Sequence, residues 1–366
     1  MAHRLVLALV GALAALTASS APALASGDGI LLLAHGGRTQ WNDNVKALAA
    51  SIDREIPVEV AFGMATRAEI QGAVDRLVAR RVSRIVAVPL FISSHSSVIT
   101  STEYLLGLRA DRPAALERFA RMSHGSGGHG SGGGGHASGS GHGSGAGHGS
   151  GSGHAAHGSG QGSGHGAGHG SGHGTSQGAV DPDALRPVDS PVPIVMTDAL
   201  NAHPLVADIL ASRAASISTD PAGEAVILVA HGPVSDEENE RWLADMKSLA
   251  DGIGSSTTFA SIDYLTVRDD APKPVRDRAT AELRALVARR TAEGRRVLIV
   301  PLLLTFGGIE QGIRDRLSGL DYVMAEQGLL PDERLREWVK HAAASRGQGT
   351  ASHSPSSQRR GRPGQR

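Results

Sequence analysis

Twice along this chain a run of aliphatic residues stops at Ala-His-Gly. Ile30-Leu31-Leu32-Leu33-Ala34 leads into His35-Gly36, and Val226-Ile227-Leu228-Val229-Ala230 leads into His231-Gly232. A short continuous aliphatic run bounded by glycine reads as a strand buried on both faces, the environment of a parallel sheet covered by helices. The repeat therefore commits the chain to α/β architecture, and does so twice. In open sheets of this kind ligands sit just beyond the carboxyl ends of the strands, which is where each run delivers its histidine. Imidazole in such a place serves as a metal ligand when neutral and as a proton acceptor near physiological pH.

The alternation continues around both runs. In the first half, strands are expected at 29–34, 58–62 and 85–90, with helices at 44–54 and 67–80; Ile70, Val74, Leu77 and Val78 give the second helix its apolar face. A further helix, a strand at 193–197 and a helix at 203–215 complete it. The second half repeats the order: strand 225–230, helix 236–250, strand 257–263, helix 275–290, strand 296–303, and a last helix at 332–343. Strands alternating with amphipathic helices specify two tandem lobes, at 26–217 and 221–345, each a parallel sheet flanked by helices, with a cleft between them.

A second correspondence links the halves. Val86-Ala87-Val88-Pro89-Leu90-Phe91-Ile92 matches Leu298-Ile299-Val300-Pro301-Leu302-Leu303-Leu304, and each run leads into a loop with a candidate functional side chain. In the first loop, Ser93-Ser94-His95, it is His95. In the second, Gly307-Gly308-Ile309-Glu310, it is Glu310.

Three segments stand outside the lobes. Residues 1–25 read as a secretory signal: a basic start at His3-Arg4, an apolar stretch from Leu5 to Leu16, and Ala23-Leu24-Ala25 as a small-x-small cleavage site. No twin-arginine pair is present, so the expectation is export by the general secretory route to a periplasmic or extracellular location. No later segment is apolar and long enough to cross a membrane. Residues 346–366 read as a disordered basic tail. Between them, residues 123–178 are almost wholly Gly, Ser and His, with no apolar side chain larger than alanine to offset the entropy of ordering, and are expected to be disordered without ligand.

That tract carries ten histidines: His124, His129, His136, His142, His148, His154, His157, His165, His169 and His173. Their irregular spacing encodes no fixed tetrahedral site, yet a flexible chain lets several imidazoles converge on nickel, copper or zinc. A Gly/Ser spacer with polar filler is the plainer alternative, but a spacer does not need ten imidazoles. Cysteine is absent, so any transition metal must be held by imidazole, carboxylate or water. Basic and acidic residues balance at 36 each, which argues against nucleic acid as a partner.

The strand-end His-Gly followed by Val-Pro-Leu-Phe and a histidine-bearing loop resembles the class II tetrapyrrole chelatases, specifically the CbiX-type sirohydrochlorin chelatases that insert cobalt, nickel or iron. The resemblance covers 29–217 apart from the tract, and 225 to about 343; histidine-rich tracts are a familiar accessory of such proteins. It implies that His35 and His95 bind the incoming metal and assist proton removal. The second half is similar to the protoporphyrin ferrochelatase arrangement, which implies that His231 faces Glu310. The implied reaction takes Co²⁺, Ni²⁺ or Fe²⁺ and a tetrapyrrole as substrates, and no nucleotide; no GxxxxGK[ST] phosphate loop occurs in the chain.

The chemistry needs these residue types. A free-base tetrapyrrole must lose two N–H protons while a hydrated cation exchanges water for ring nitrogens, so basic groups and temporary ligands are required together. Because protonated imidazole cannot ligate, metal uptake is expected to fade below the ordinary imidazole pKa of roughly 6.5. Plainer readings stand beside these: Glu310 as a first-turn helix acid, Trp41 and Trp242 as packing residues, His203 and His341 as structural or surface residues. Two functional alternatives also stand. One is an exported, non-enzymatic metal-binding or storage protein using the tract, and the other a scaffold that only presents it.

Overall fold

The computed structural model describes residues 27–124 and 180–347. The signal segment, nearly all of the histidine-rich tract and the basic tail beyond Gly347 lie outside them; the tail's first two residues belong to the last helix. The described chain folds in the order β1 (Asp28–Ala34), α1 (Thr39–Asp53), β2 (Val58–Phe62), α2 (Arg67–Ala79), β3 (Arg84–Pro89), α3 (Ser97–Leu105), α4 (Ala115–His124), β4 (Ile194–Met196) and α5 (Pro204–Ala215). It continues through β5 (Glu224–Ala230), α6 (Asp236–Ser256), β6 (Ser261–Thr266), α7 (Lys273–Ala292), β7 (Arg296–Leu302), α8 (Ile309–Arg316), β8 (Val323–Met324) and α9 (Glu333–Gly347).

The strands form two four-stranded parallel sheets of identical order, β2-β1-β3-β4 and β6-β5-β7-β8. In both, the histidine-bearing strand lies inside the sheet, next to the strand with the Val-Pro-Leu sequence: Leu33 pairs with Pro89, and Val229 with Pro301. The duplication extends to electrostatics. β1 opens with a buried acid, Asp28, in register with and ion-paired to Arg84 at the start of β3; β5 opens with buried Glu224, in register with and ion-paired to Arg296 at the start of β7.

Strand side chains alternate between faces, which divides the core. On β1, Leu31 and Leu33 face outward onto Val74 and Leu77 of α2, with Phe119 of α4 in the same cluster. On β5, Ile227 and Val229 face Leu283 and Val287 of α7. The opposite faces, Ile30 and Leu32 of β1 and Val226 and Leu228 of β5, belong to one continuous core shared by the two lobes. Burying side chains of this size stabilises by about 1.5–3 kcal/mol each, so this shared layer holds the lobes together.

Chain boundary and packing boundary differ. α5 ends the first half of the sequence, yet it packs on α6 and β7 of the second sheet; α9 ends the second half, yet it packs on β3 and α1 of the first. Gly252 allows the close α5–α6 approach, since a Cβ there would lie 3.2 Å from the Cβ of Ala207. Lys340 of α9 pairs with Glu55 at 2.7 Å. Each sheet is therefore covered on its inner face by a helix from the other half.

The chain departs from the sequence expectations at a few elements. One helix was expected before the tract and two form, α3 and α4. α6 runs on to Ser256 through Gly252 and Gly254, because tertiary packing against α5 outweighs the cost of glycine in a helix. That extension shifts β6 to Ser261–Thr266. The short strand β8 had no expectation, and α8 was anticipated only by the reading of Glu310 as a first-turn helix acid.

Candidate functional site

His35 follows the last residue of β1 and is exposed. Its Nδ1 lies 2.6 Å from the carbonyl oxygen of Gly36. A carbonyl can only accept, so Nδ1 carries the proton and the lone pair is left on Nε2, the tautomer suited to ligation or proton uptake. Gly36 adopts φ +81°, which turns the chain at once. The amide of Gly37 donates to Asn42 Oδ1 at 2.8 Å, which anchors the loop to the start of α1.

From α1, the Trp41 ring meets the His35 imidazole edge-on with centroids 6.5 Å apart. The same indole abuts the opposite lobe, where a Cβ added to Gly307 would lie 3.2 Å from Trp41 Cδ1. One turn further, Asn44 Nδ2 donates to Thr305 Oγ1 at 2.8 Å. The His35 helix thus grips the loop after β7.

The loop after β3 holds His95, half-buried, with its backbone fixed on both sides. The His95 amide donates to the buried Ser93 Oγ at 3.1 Å, and the neighbouring Ser94 amide donates to Asn201 Oδ1 at 2.6 Å. Ser94 Oγ accepts from the Ala199 amide at 2.9 Å and from Asn201 Nδ2 at 3.0 Å. The second lobe then closes over this loop. Trp242 Nε1 of α6 donates to the His95 carbonyl at 3.0 Å, and Ser93 Oγ donates to Asp245 Oδ2 at 3.5 Å. Burial pushes the Asp245 carboxyl up in pKa, against the opposing field of His95 and the Ser93 hydroxyl.

The second-lobe pair is arranged differently. His231 Nε2 lies 3.6 Å from Asp270 Oδ2. Glu310 Oε2 accepts from the amides of Gly307 at 3.0 Å and Gly308 at 2.8 Å, capping the start of α8. The expected neighbour of His231 was Glu310; its carboxylate neighbour here is Asp270, while Glu310 serves the helix terminus that the plainer reading assigned to it. His203 also has a structural task. Its Nδ1 accepts from the Leu205 amide at 3.2 Å as the N-cap of α5, and burial together with nearby His341 holds its pKa down, with Asp208 opposing.

Among the described residues no three or more His, Asp or Glu side chains converge on one point as a closed metal cage. A cavity of about 460 Å³ lies beside β6, lined in part by Asn239, Tyr264, Thr266, Arg268 and Arg278; none of His35, His95, His231 or Glu310 lines it. No helix among the described residues is long and apolar enough to cross a membrane. The tract histidines lie outside the described side chains.

Sequence reasoning overlooked Asp245, Ser93, Asn201 and Asp270. Asp245 carried a readable signal: it sits four residues before Leu249 on the buried stripe of α6, where an acid is out of place.

Comparisons with known proteins bear on this arrangement. A search of curated proteins found no match. Among solved structures, SirB from Bacillus subtilis with Fe³⁺ matches at 14% identity and a TM-score of 0.48, covering 88% of this chain and 98% of that one. The sirohydrochlorin chelatase SirB from Bacillus subtilis subspecies spizizenii in complex with cobalt matches at 12% and 0.46, covering 88% and 97%. DR2241 from Deinococcus radiodurans, a multi-domain protein with structural similarity to chelatases, matches at 16% and 0.44, covering 88% and 55%. Residues 29–103 match the family CbiX, and that segment contains both His35 and His95. The segment that presents these two histidines is therefore similar to the CbiX family.

Proposed function

We infer that the protein inserts a divalent metal ion into a tetrapyrrole of the sirohydrochlorin type without nucleotide hydrolysis. The observation that carries this reading is the coincidence of the CbiX match with the loops after β1 and β3, adjacent strands whose carboxyl ends present His35 and His95. His35, with its lone pair on Nε2, receives the hydrated cation or a pyrrole proton. His95, on a loop held by Ser93, Asn201 and Trp242, supplies the second imidazole. His231 and Glu310 form a second, weaker position for the same chemistry, with Glu310 releasing its cap when it relays protons. Co²⁺, Ni²⁺ and Fe²⁺ all suit imidazole donors. The tract histidines gather metal for the cleft, and the amino-terminal segment directs export.

Purified protein mixed with sirohydrochlorin and Co²⁺, followed by absorption against the uncatalysed rate, tests the reading. Acceleration lost by about 100-fold or more in His35→Ala and in His95→Ala supports it, since positioned acid–base groups contribute on that order. Absence of acceleration with Co²⁺, Ni²⁺ and Fe²⁺ alike would sink it. The ten tract histidines favour one other reading, an exported metal store. A store retains its metal stoichiometry in the His35→Ala and His95→Ala variants and loses most of it when residues 123–178 are deleted.

A further inference from the structure

We propose that His95 and Asp245 together form a cation site that spans the two lobes, with Asp245 a ligand for the divalent metal on its way to the tetrapyrrole. The inference rests on the reading of His95 as a metal-handling residue and adds a group from the other lobe to it.

Three observations carry it. Asp245 is half-buried on the inward stripe of α6, and among the described residues it has no Lys or Arg partner; the cationic charge that its carboxyl senses is that of His95. A partly desolvated carboxylate without a counter-charge is costly, and such groups concentrate at functional sites. Its bond from Ser93 Oγ, at 3.5 Å, is at the long limit of hydrogen bonding, so nearly all the acceptor capacity of the carboxylate remains free.

The same serine ties the two groups together. Ser93 Oγ accepts from the His95 amide at 3.1 Å and donates to Asp245, while Trp242, one turn before Asp245 on α6, holds the His95 carbonyl at 3.0 Å. The backbone of the His95 loop and the Asp245 carboxylate are thus tied through one serine, and the carboxylate lies within electrostatic reach of His95 without an ion pair at contact distance. A cation between them offsets the buried charge and gains one nitrogen and one oxygen donor, a combination that cobalt, nickel and ferrous iron accept. Two protein ligands suit a metal that must leave. The remaining coordination positions stay open to water and then to ring nitrogens, whereas a closed four-ligand cage would retain the ion.

The test uses the full chain with the ten tract histidines replaced by serine, so that Co²⁺ binding reports the cleft. Equilibrium dialysis against Co²⁺ is run on this parent and on its Asp245→Asn, His95→Ala and doubly substituted forms. Asp245→Asn keeps the volume and removes the charge. Each single change is expected to weaken Co²⁺ binding about 10- to 100-fold, the range seen even for groups one step removed from a metal. The double variant should be little weaker than either, because both groups share one ion.

Co²⁺ should also quench the fluorescence of Trp242, read as the difference between the parent and Trp242→Phe, which stays informative if Asp245→Asn folds poorly. Asp245→Asn binding as tightly as the parent, or Co²⁺ binding without quenching Trp242, overturns the proposal. The two readings separate cleanly. Binding that depends on Asp245 in a protein with no chelatase turnover sinks the enzyme and keeps the site. Turnover with full indifference to Asp245→Asn does the reverse.

Discussion

The indole N–H of Trp242, on the first helix of the second lobe, donates to the main-chain carbonyl of His95 in the first lobe at 3.0 Å. Its counterpart in the repeat makes the reciprocal approach: Trp41, on the first helix of the first lobe, lies against Gly307 in the loop of the second. Each lobe thus uses the helix that follows its strand-end histidine to brace the other lobe's loop after the third strand. Trp242→Phe keeps an aromatic ring, deletes the donor and removes part of the indole that packs on the shared core. The expected loss is at least about 1 kcal/mol in urea unfolding, the net value of a typical hydrogen bond, with lost packing added to it. A higher KM for metal should accompany it as the His95 loop loosens, and unchanged unfolding together with unchanged KM would contradict the bracing role.

Glu310 offers a way to separate structure from chemistry. Its Oε2 takes the amides of Gly307 and Gly308, and loss of a capping side chain typically costs about 1 kcal/mol. Glu310→Ala should therefore lower stability by roughly that amount in thermal or denaturant melts. Glu310→Gln retains a carbonyl acceptor and loses the charge, so it should stay within a few tenths of a kcal/mol of the parent while no longer accepting protons. A Gln variant as unstable as the Ala variant would mean that the negative charge, and not the acceptor, holds the α8 terminus.

The glycine after each strand-end histidine is required by the turn, and unequally. Gly232 has φ +74°, and a Cβ there would lie 2.5 Å from Thr266 Cβ, whose Oγ1 is engaged with Asn239 Oδ1 at 2.6 Å. At Gly36, with φ +81°, the closest approach is 3.4 Å, to Phe62 Cβ. Gly232→Ala should destabilise by more than about 1 kcal/mol, since both conformation and space oppose it. Gly36→Ala meets only the conformational penalty and should cost less. Paired denaturant titrations measure the difference, and equal losses would show that packing at Thr266 relaxes freely.

What the sequence made legible follows from where the information lies. Buried parallel strands are written as continuous aliphatic runs, so β1, β3, β5 and β7 and the histidines at or beyond their ends could be read directly. The partners of those histidines could not. Trp242 reaches His95 across 147 positions and Asp245 reaches Ser93 across 152, contacts that depend on how two lobes dock and leave no local pattern. The crossing of α5 and α9 onto opposite sheets was hidden for the same reason. Their apolar faces announce burial without saying against which sheet. Glu310 was only half legible, because an acid in the first turn of a helix looks the same in sequence whether or not it caps the backbone, and its bonds from the amides of Gly307 and Gly308 depend on the loop geometry.

The duplicated acid–arginine pair at the strand starts predicts how acid unfolds the protein. Burial works to raise the pKa of Glu224, but hydrogen bonds from the Ser218 hydroxyl, the Thr219 amide and Arg296 outweigh it and hold the carboxyl at about 2, against an ordinary value of 4.5. A carboxyl depressed in the folded state contributes stability that is complete above its unfolded pKa and is lost as pH falls toward the folded value. The contribution of Glu224 should therefore be intact above pH 4.5 and should drain away between 4.5 and about 2. Glu224→Gln cannot titrate, so its stability should lie below the parent at neutral pH, with the gap narrowing steadily over that window. Urea unfolding from pH 7 to pH 2 reads this directly. A gap between parent and Glu224→Gln that stays constant down to pH 2 would show that the ion pair with Arg296 does not couple protonation to folding.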